Sequence, residues 1–570
     1  MINYREKIAD ILAPHIEGLE RDEILPMIEV PADSSKGDYA FPCFKLAKIM
    51  RKAPPMIAKG IAEAIEGEKM FQKVESVNAY VNMFMSKAEF AGNVVKEVLE
   101  KDKDFGRSDM GAGRTVIVEY SSPNIAKPFH IGHIRSTVIG NSIYKIYDFL
   151  GYDTIRINHL GDYGTQFGKM ICAYRKWGNK EDVIREPIKS LLSYYTKFHE
   201  EAEKDPSLED EARAIFVRLE NGEPEEVELW QWFRDESLRE FNRVYDMLGI
   251  TFDSYNGESF YSDKMPAVVQ ELKDKGLLVE DNGAQIVKLD QFDLPPALIT
   301  KSDGSTLYIT RDIAAAIYRK NTYDFYKNIY VVASQQNLHF QQWKKVIELM
   351  GYDWADDCVH VPFGLVSMEE GTMSTRQGRV IFLEDVLNRA VEQTRKIIME
   401  KNVNTENVDE TAREVGIGAV IFNELSNYRI KDYVFSWDKV LNFEGETGPY
   451  VQYTHARACS ILRNAGEAVM ASAKEGFDAS RITSDSAHAL IKLIYEMPEV
   501  IAEAGEKYEP SIVTRHIVDI AQAFNKFYHD EHILVDDETE KTAKVALVMA
   551  ARNVIRNGLD LLGMKAPEKM

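Results

Sequence analysis

Two histidines separated by an isoleucine and a glycine, His130 and His133, stand in the stretch SSPNIAKPFHIGHIRST at residues 121–137. The preceding run TVIVEY is short and β-branched, and the residues that follow have helical spacing. A loop leaving a parallel strand delivers the chain to a helix N-terminus, where unpaired backbone N–H groups and the helix dipole favour an anion such as phosphate. Residues i and i+3 share one face of that first turn. Imidazoles placed there can donate hydrogen bonds to phosphate oxygens as charge builds, without serving as nucleophiles or metal ligands. Gly132 leaves room for a flat ring to approach the backbone. The chain lacks both the Walker loop and the G-x-G-x-x-G fingerprint, so a different nucleotide fold is required. A bare His-x-Gly-His is equally compatible with two ordinary helix histidines, and context must decide.

The elements that would position this turn are legible around it. TVIVEY, the helical FHIGHIRSTVIGNSIYKIYDFLGY and the second strand DTIRINHL form one βαβ unit, the start of a doubly wound α/β domain. An acidic, helical stretch from about 173 to 260 interrupts it, within an insertion reaching to about 300. Strand signals return at GAQIVKL, STLYIT and NIYVVAS, the last two flanking the helix RDIAAAIYRK. Before residue 110, the helical patterns YREKIADILAPHI and FKLAKIMRKAPPMIAKGIAEAI precede an alternating strand, VESVNAYVNMFM. After about 390 only helical patterns are visible. In SIVTRHIVDIAQAFNKFYHD the apolar positions Val513, Ile517, Ile520, Phe524 and Phe527 step by three and four, which predicts one buried face. The expected fold is thus a split Rossmann-like α/β catalytic domain with a helical insertion, a small α+β N-terminal domain and an all-α C-terminal bundle. The expected divisions are 1–110, 111–390, a helical connection at 391–430, and 431–570.

With 570 residues the chain exceeds one core. Its 69 basic and 91 acidic side chains give a formal charge of −22, which argues against a general nucleic-acid coat or an anionic membrane surface as partner. Cys43, Cys172, Cys358 and Cys459 are far apart, with no zinc-like spacing, so reduced, buried thiols and no structural metal are expected. No signal peptide or membrane span is legible, and a cytoplasmic setting is expected.

The stretch VEYSSPNIAKPFHIGHIRST resembles the signature of class I aminoacyl-tRNA synthetases, and in detail that of the arginyl-tRNA synthetase family. NHLGDYGTQFGKM at 158–170, LYITRDIAAAIY at 307–318 and FEGETGPYVQYTHAR at 443–457 point the same way. The resemblance implies ATP, with its accompanying Mg2+, L-arginine and tRNA(Arg) as partners, and a monomer. It implies that an amino-acid carboxylate attacks the α-phosphate of ATP and that the acyl group then passes to the terminal tRNA adenosine. The family's Lys-Met-Ser-Lys-Ser loop should fall at TMSTRQG, residues 372–378. Both lysines are missing there, Thr372 and Thr375 standing in their places. Family members that lack the second lysine commonly carry one upstream of the histidines, here Lys127, with Arg376 as a helper.

By the same resemblance His130, Gly132, His133, Lys127, His339, Met373, Ser374 and Arg376 contact ATP, His339 having a structural reading of equal weight. Glu119, Tyr308 and Asp312 grip the guanidinium, while Asn124 and Gln336 contact the amino-acid end or its surroundings. A planar, permanently charged fork does call for carboxylates and a hydroxyl in fixed geometry. Tyr80 and Asn82 match positions used against the tRNA D-loop; Tyr450, Tyr453, Tyr528 and Met570 match the anticodon-binding surface. The rivals are a small adenylyltransferase, a synthetase for another amino acid, and an inactive RNA-binding paralogue. The first leaves the helical bundle without a role, the second conflicts with Glu119 and Asp312, and the third with the intact histidines.

Overall fold

The β-branched run at 115–119 becomes the strand around which the catalytic part of the chain is wound. In the computed structural model, which describes residues 3–301, 308–368, 381–400 and 407–570, the chain folds as two compact units. One comprises Met1–Phe105, Thr454–Pro498 and Asp519–Asn557; the other comprises Gly106–Tyr453, Glu499–Val518 and Gly558–Met570.

In the first unit, β1 (Tyr39–Pro42), β2 (Phe71–Val77) and β3 (Tyr80–Met85) form an antiparallel sheet in the order β1-β3-β2. The expected single strand VESVNAYVNMFM is in fact a hairpin, turned at Asn78 in the left-handed region (φ 54°), which asparagine tolerates better than most side chains. The helical run at 44–65 is two helices, Leu46–Met50 and Pro54–Ile65. Left-handed Arg51 and the prolines that open the second helix separate them.

In the second unit, β4 (Thr115–Glu119), β5 (Asp153–Ile157), β9 (Lys327–Ala333) and β10 (Cys358–Phe363) form a parallel sheet in the order β10-β9-β4-β5. Winding reverses between β4 and β9, and the carboxyl ends flanking such a switch point are where open α/β sheets bind ligands. Between β5 and β9 the insertion is helical from Thr165 to Leu248, with Ile171, Phe198 and Phe233 buried in its own core. GAQIVKL does supply a strand, β7 (Ala284–Val287), which lies outside the parallel sheet and pairs antiparallel to β6 (Leu278–Asp281) and β8 (Ala297–Thr300). STLYIT is not a strand either: Tyr308–Thr310 open the helix Tyr308–Tyr323, and 305–307 lie outside the described residues. Its apolar Ile309 and Ile313 fit a helical period as well as a strand's.

The expectation of helices alone after 390 also needs correction. β12 (Tyr433–Phe435) pairs in parallel with β11 (Val366–Met368), and three residues are too few to carry a period. The helix Ser511–Asp530 forms as its spacing predicts, with Val513, Ile517, Ile520, Phe524 and Phe527 buried. None of the four cysteines is in a disulfide, and all are buried. Among the described residues no helix is long and apolar enough to cross a membrane.

Candidate active site

The helix Gly132–Phe149 lies against β4 because Gly140 has no side chain: a Cβ there would meet that of Tyr120 at 2.1 Å. Ser136, on the same helix, accepts the Ser121 amide (2.9 Å) and donates to the Val331 carbonyl (2.8 Å). One hydroxyl thus ties the ends of β4 and β9 to the helix start. The intervening loop is tight, with Ser121, Ser122 and Ala126 at positive φ. Such strain by non-glycine residues concentrates at functional sites.

The two histidine rings lie 4.0 Å apart, centre to centre. Gly132 N–H donates to Nδ1 of His130 (3.1 Å), leaving the proton of its neutral ring on Nε2. The His130 amide donates to Nδ1 of His133 (3.1 Å), whose other neighbour is the His130 carbonyl at 3.2 Å. Burial pulls the His133 value down to about 3, reinforced by His130 and Lys127; burial also lowers His130. Both rings are therefore neutral donors at neutral pH. Lys127 is exposed, yet the surrounding protein depresses its ammonium value, with Glu258 acting in the opposite sense.

A cleft of about 470 Å³ opens by the insertion, and another of about 460 Å³ lies beside the rings over the sheet. The latter is lined by His130, Gly132 and His133 together with Val331–Ala333 and Phe363–Ser367. Those two strand ends were not singled out in the sequence, and their position at the switch point is the signal that would find them. The chain closes over the histidines at 381–383, where Ile131 N–H donates to the Ile381 carbonyl (3.1 Å) and Leu383 N–H to that of Phe129 (3.0 Å). Thr372, Met373, Ser374, Thr375 and Arg376 lie outside the described residues.

On the other side of β4's end, Glu119 is buried, and the helix Tyr308–Tyr323 carries Asp312 and Arg319 on one face, two turns apart. Arg319 Nη1 lies 2.6 Å from Glu119 Oε2, and Asp312 Oδ2 lies 2.5 Å from His339 Nε2. Glu119, Arg319 and Asp312 all act electrostatically on both His159 and Tyr330, so the three converge. His339 is thus paired with an acid assigned to arginine, and it does not line the cleft that holds the signature histidines. Asn124 packs against Gly161, where a Cβ would meet its Oδ1 at 2.3 Å. Asn124, Gln336 and Tyr308 are exposed, Tyr308 by 60%.

Glu258 is a neighbour that the sequence did not flag. Burial raises its carboxyl to about 7, opposed by Arg311, 3.3 Å away, and assisted by Asp312 and Asp162. Asp162 is fully buried, accepting from Arg234 (3.2 Å) and from both the amide and hydroxyl of Ser259; it ties the insertion to the segment carrying Glu258.

The residues expected to contact tRNA fall in both units. Tyr80 and Asn82 line a cleft of about 580 Å³ beside β3, Tyr80 half-buried and Asn82 buried. Tyr453 and Tyr528 are exposed by 41% and 44%; Tyr450 and Met570 are partly buried.

Residues 94–437 match the family model of tRNA synthetases class I (R), catalytic domain. Residues 451–570 match the DALR anticodon binding domain, and 3–85 the arginyl tRNA synthetase N terminal domain. Arginine–tRNA ligases from Halothermothrix orenii and Clostridioides difficile are each 59% identical to this chain over 570 residues, all of both chains. The arginyl-tRNA synthetase of Thermus thermophilus superposes with a TM-score of 0.80 at 24% identity, covering all of both chains, which shows the shared fold. That of Plasmodium falciparum gives 0.77 at 25% identity, over 100% of this chain and 99% of its own. With the neutral histidine pair at the switch point and paired acids beside it, the chain belongs to the arginyl-tRNA synthetase family of class I aminoacyl-tRNA synthetases.

Proposed function

We infer that this chain is an arginine–tRNA ligase that condenses L-arginine with ATP, releases pyrophosphate, and passes the arginyl group to the terminal adenosine of tRNA(Arg). The observation that carries this reading is the pairing of neutral imidazole donors at the end of β4 with a buried acid, Glu119, on the same strand end. ATP, entering as its Mg2+ complex, lies along the cleft over β9, its phosphates at the start of the signature helix. The arginine carboxylate is already a nucleophile, so one of its oxygens attacks the α-phosphorus while the bond to the bridging oxygen of pyrophosphate breaks. Such a step needs alignment and charge stabilisation more than a base. Nε2 of His130 and His133 donate to phosphate oxygens as charge redistributes, and neutrality avoids locking the ground state.

Lys127 supplies the cation that the threonines of the second signature cannot, with Arg376 as helper and Met373 and Ser374 along the nucleotide. Glu119, Asp312 and Tyr308 hold the guanidinium; Asn124 and Gln336 lie toward the amino-acid end. A net acidic chain can read tRNA through aromatic platforms. Tyr80 and Asn82 are assigned to the D-loop, and Tyr450, Tyr453, Tyr528 and Met570 to the anticodon stem-loop, within the divisions 1–110 and 431–570. The enzyme works as a cytoplasmic monomer, and bound tRNA is required for activation. ATP–pyrophosphate exchange with each amino acid, with and without tRNA, tests the reading. Exchange with arginine alone, dependent on tRNA, is expected; absence of exchange from folded protein under both conditions would overturn it.

A further inference from the structure

Both acids assigned to the substrate guanidinium are already held from within the fold, each through one oxygen. Arg319 reaches Oε2 of Glu119 and His339 reaches Oδ2 of Asp312. Arg319 is completely buried, its guanidinium 5.4 and 5.9 Å from the ring centres of Tyr330 and Tyr261, and its Nη2 lies 3.4 Å from His159 Nδ1. Burial opposes its charge, but Glu119 and the two tyrosines outweigh burial and hold its value well above the ordinary one. A permanent guanidinium already seated on the acid meant for another guanidinium demands an explanation.

Charge supplies one. Glu119 and Asp312 carry −2 between them, and Arg319 brings the group to −1, the complement of a monocation. Without Arg319 the two acids would share one site with no buried cation between them. A guanidinium needs carboxylate acceptors held in fixed positions. The helix Tyr308–Tyr323 delivers both parts: Asp312 at its mouth end, 32% exposed, and Arg319 two turns deeper, at 0%.

We propose that Arg319 and His339 are positioning residues for arginine selection. Arg319 fixes Glu119 and cancels one of the two acid charges; His339 fixes Asp312; Oε1 and Oδ1 remain for the incoming guanidinium. The inference rests on the assignment of Glu119 and Asp312 to that guanidinium. It differs from a purely structural role, which would change stability without changing the response to arginine.

The test is a KM-against-kcat split in tRNA-supported ATP–pyrophosphate exchange by the full chain, with thermal unfolding as a check. His339→Ala should raise the arginine KM about tenfold, the scale of a misplaced binding group, while the ATP KM and kcat stay within about twofold. His339→Gln, which keeps an N–H donor, should recover most of that loss. Arg319→Gln should raise the arginine KM further and narrow discrimination against citrulline, the neutral isostere, about tenfold; Arg319→Lys should keep discrimination. If Arg319→Gln does not fold, the His339 pair carries the test. A rise in ATP KM in place of arginine KM, or lost stability with arginine KM unmoved, would overturn the proposal. Glu119→Gln and Asp312→Asn separate the two levels: if neither raises the arginine KM, the guanidinium assignment itself fails. If both raise it and the Arg319 and His339 variants do not, the positioning proposal alone fails.

Discussion

The histidine turn and the acid pocket are built at the end of the same strand, β4, on opposite electrostatic plans. At the turn, burial strips charge: both imidazoles are held neutral and aligned by backbone amides. In the pocket, burial is overcome by pairing, and Arg319 remains charged against Glu119. Under the proposed assignments the difference follows from the ligand. Phosphate charge is redistributed during the reaction, so donors that stabilise the transition state preferentially are useful there. A guanidinium is charged throughout, so the pocket needs permanent, pre-balanced countercharge. On that proposal a single sheet edge provides for a changing charge and a constant one within a few residues of each other.

The sharpest way to break this comparison is His133→Ala, which should lower kcat for exchange about 100- to 1000-fold, the scale of losing one preorganised donor. A variant retaining its kcat with only KM raised would make the turn another binding pocket. Asp312→Asn should do the reverse, raising the arginine KM about 10- to 100-fold, as expected for a charge-assisted hydrogen bond; isotope exchange at varied arginine reads it. Lys127→Ala should lower kcat about tenfold and leave the arginine KM little changed, because its contact forms chiefly in the transition state. Equal effects on both would place Lys127 in the pocket. Stability reads the same neutral pair. His133 has a folded value far below its ordinary 6.5, so on acidification the unfolded chain binds a proton first. Its contribution is complete above about pH 6.5 and falls as pH drops toward about 3, by up to about 1.4 kcal/mol per pH unit. Urea midpoints should show a shallower acid slope for His133→Gln; an unchanged slope would remove His133 from the neutral pair.

How far the sequence foretold these two regions follows from how each is made. The turn was readable because its strand, loop and helix are contiguous: Glu119, His130 and His133 lie within 15 residues, with β-branched and helical periods on either side. The pocket is not contiguous. Arg319 looked like an ordinary helix residue in RDIAAAIYRK, and only the return of β9 beside β4 makes its partner Glu119. Glu258 is hidden for the same reason, its character coming from Arg311, Asp312 and Asp162. The lining of the histidine cleft at Val331–Ala333 and Phe363–Ser367 is apolar strand end, a composition that core strands share. Among the larger elements, long single-period helices such as Ser511–Asp530 were legible, whereas the 74–85 hairpin was masked by a turn without glycine or proline.

Arg135, on the signature helix, has a bearing on how the molecule could be cut or recombined. Its guanidinium donates to the carbonyls of Gly364 (3.0 Å), Lys431 (2.8 Å) and Arg429 (3.1 Å), and its Nε lies 3.4 Å from the fully buried Glu424. Arg429 in turn donates to the Pro362 and Tyr508 carbonyls. A fragment ended near residue 390, where the α/β pattern gives way to helices, would therefore strand a buried cation beneath its own signature turn. Exchanging the C-terminal half for that of a relative therefore calls for a junction beyond the turn at 429–431, because that turn belongs to the same matched stretch, 94–437, as the signature helix it holds.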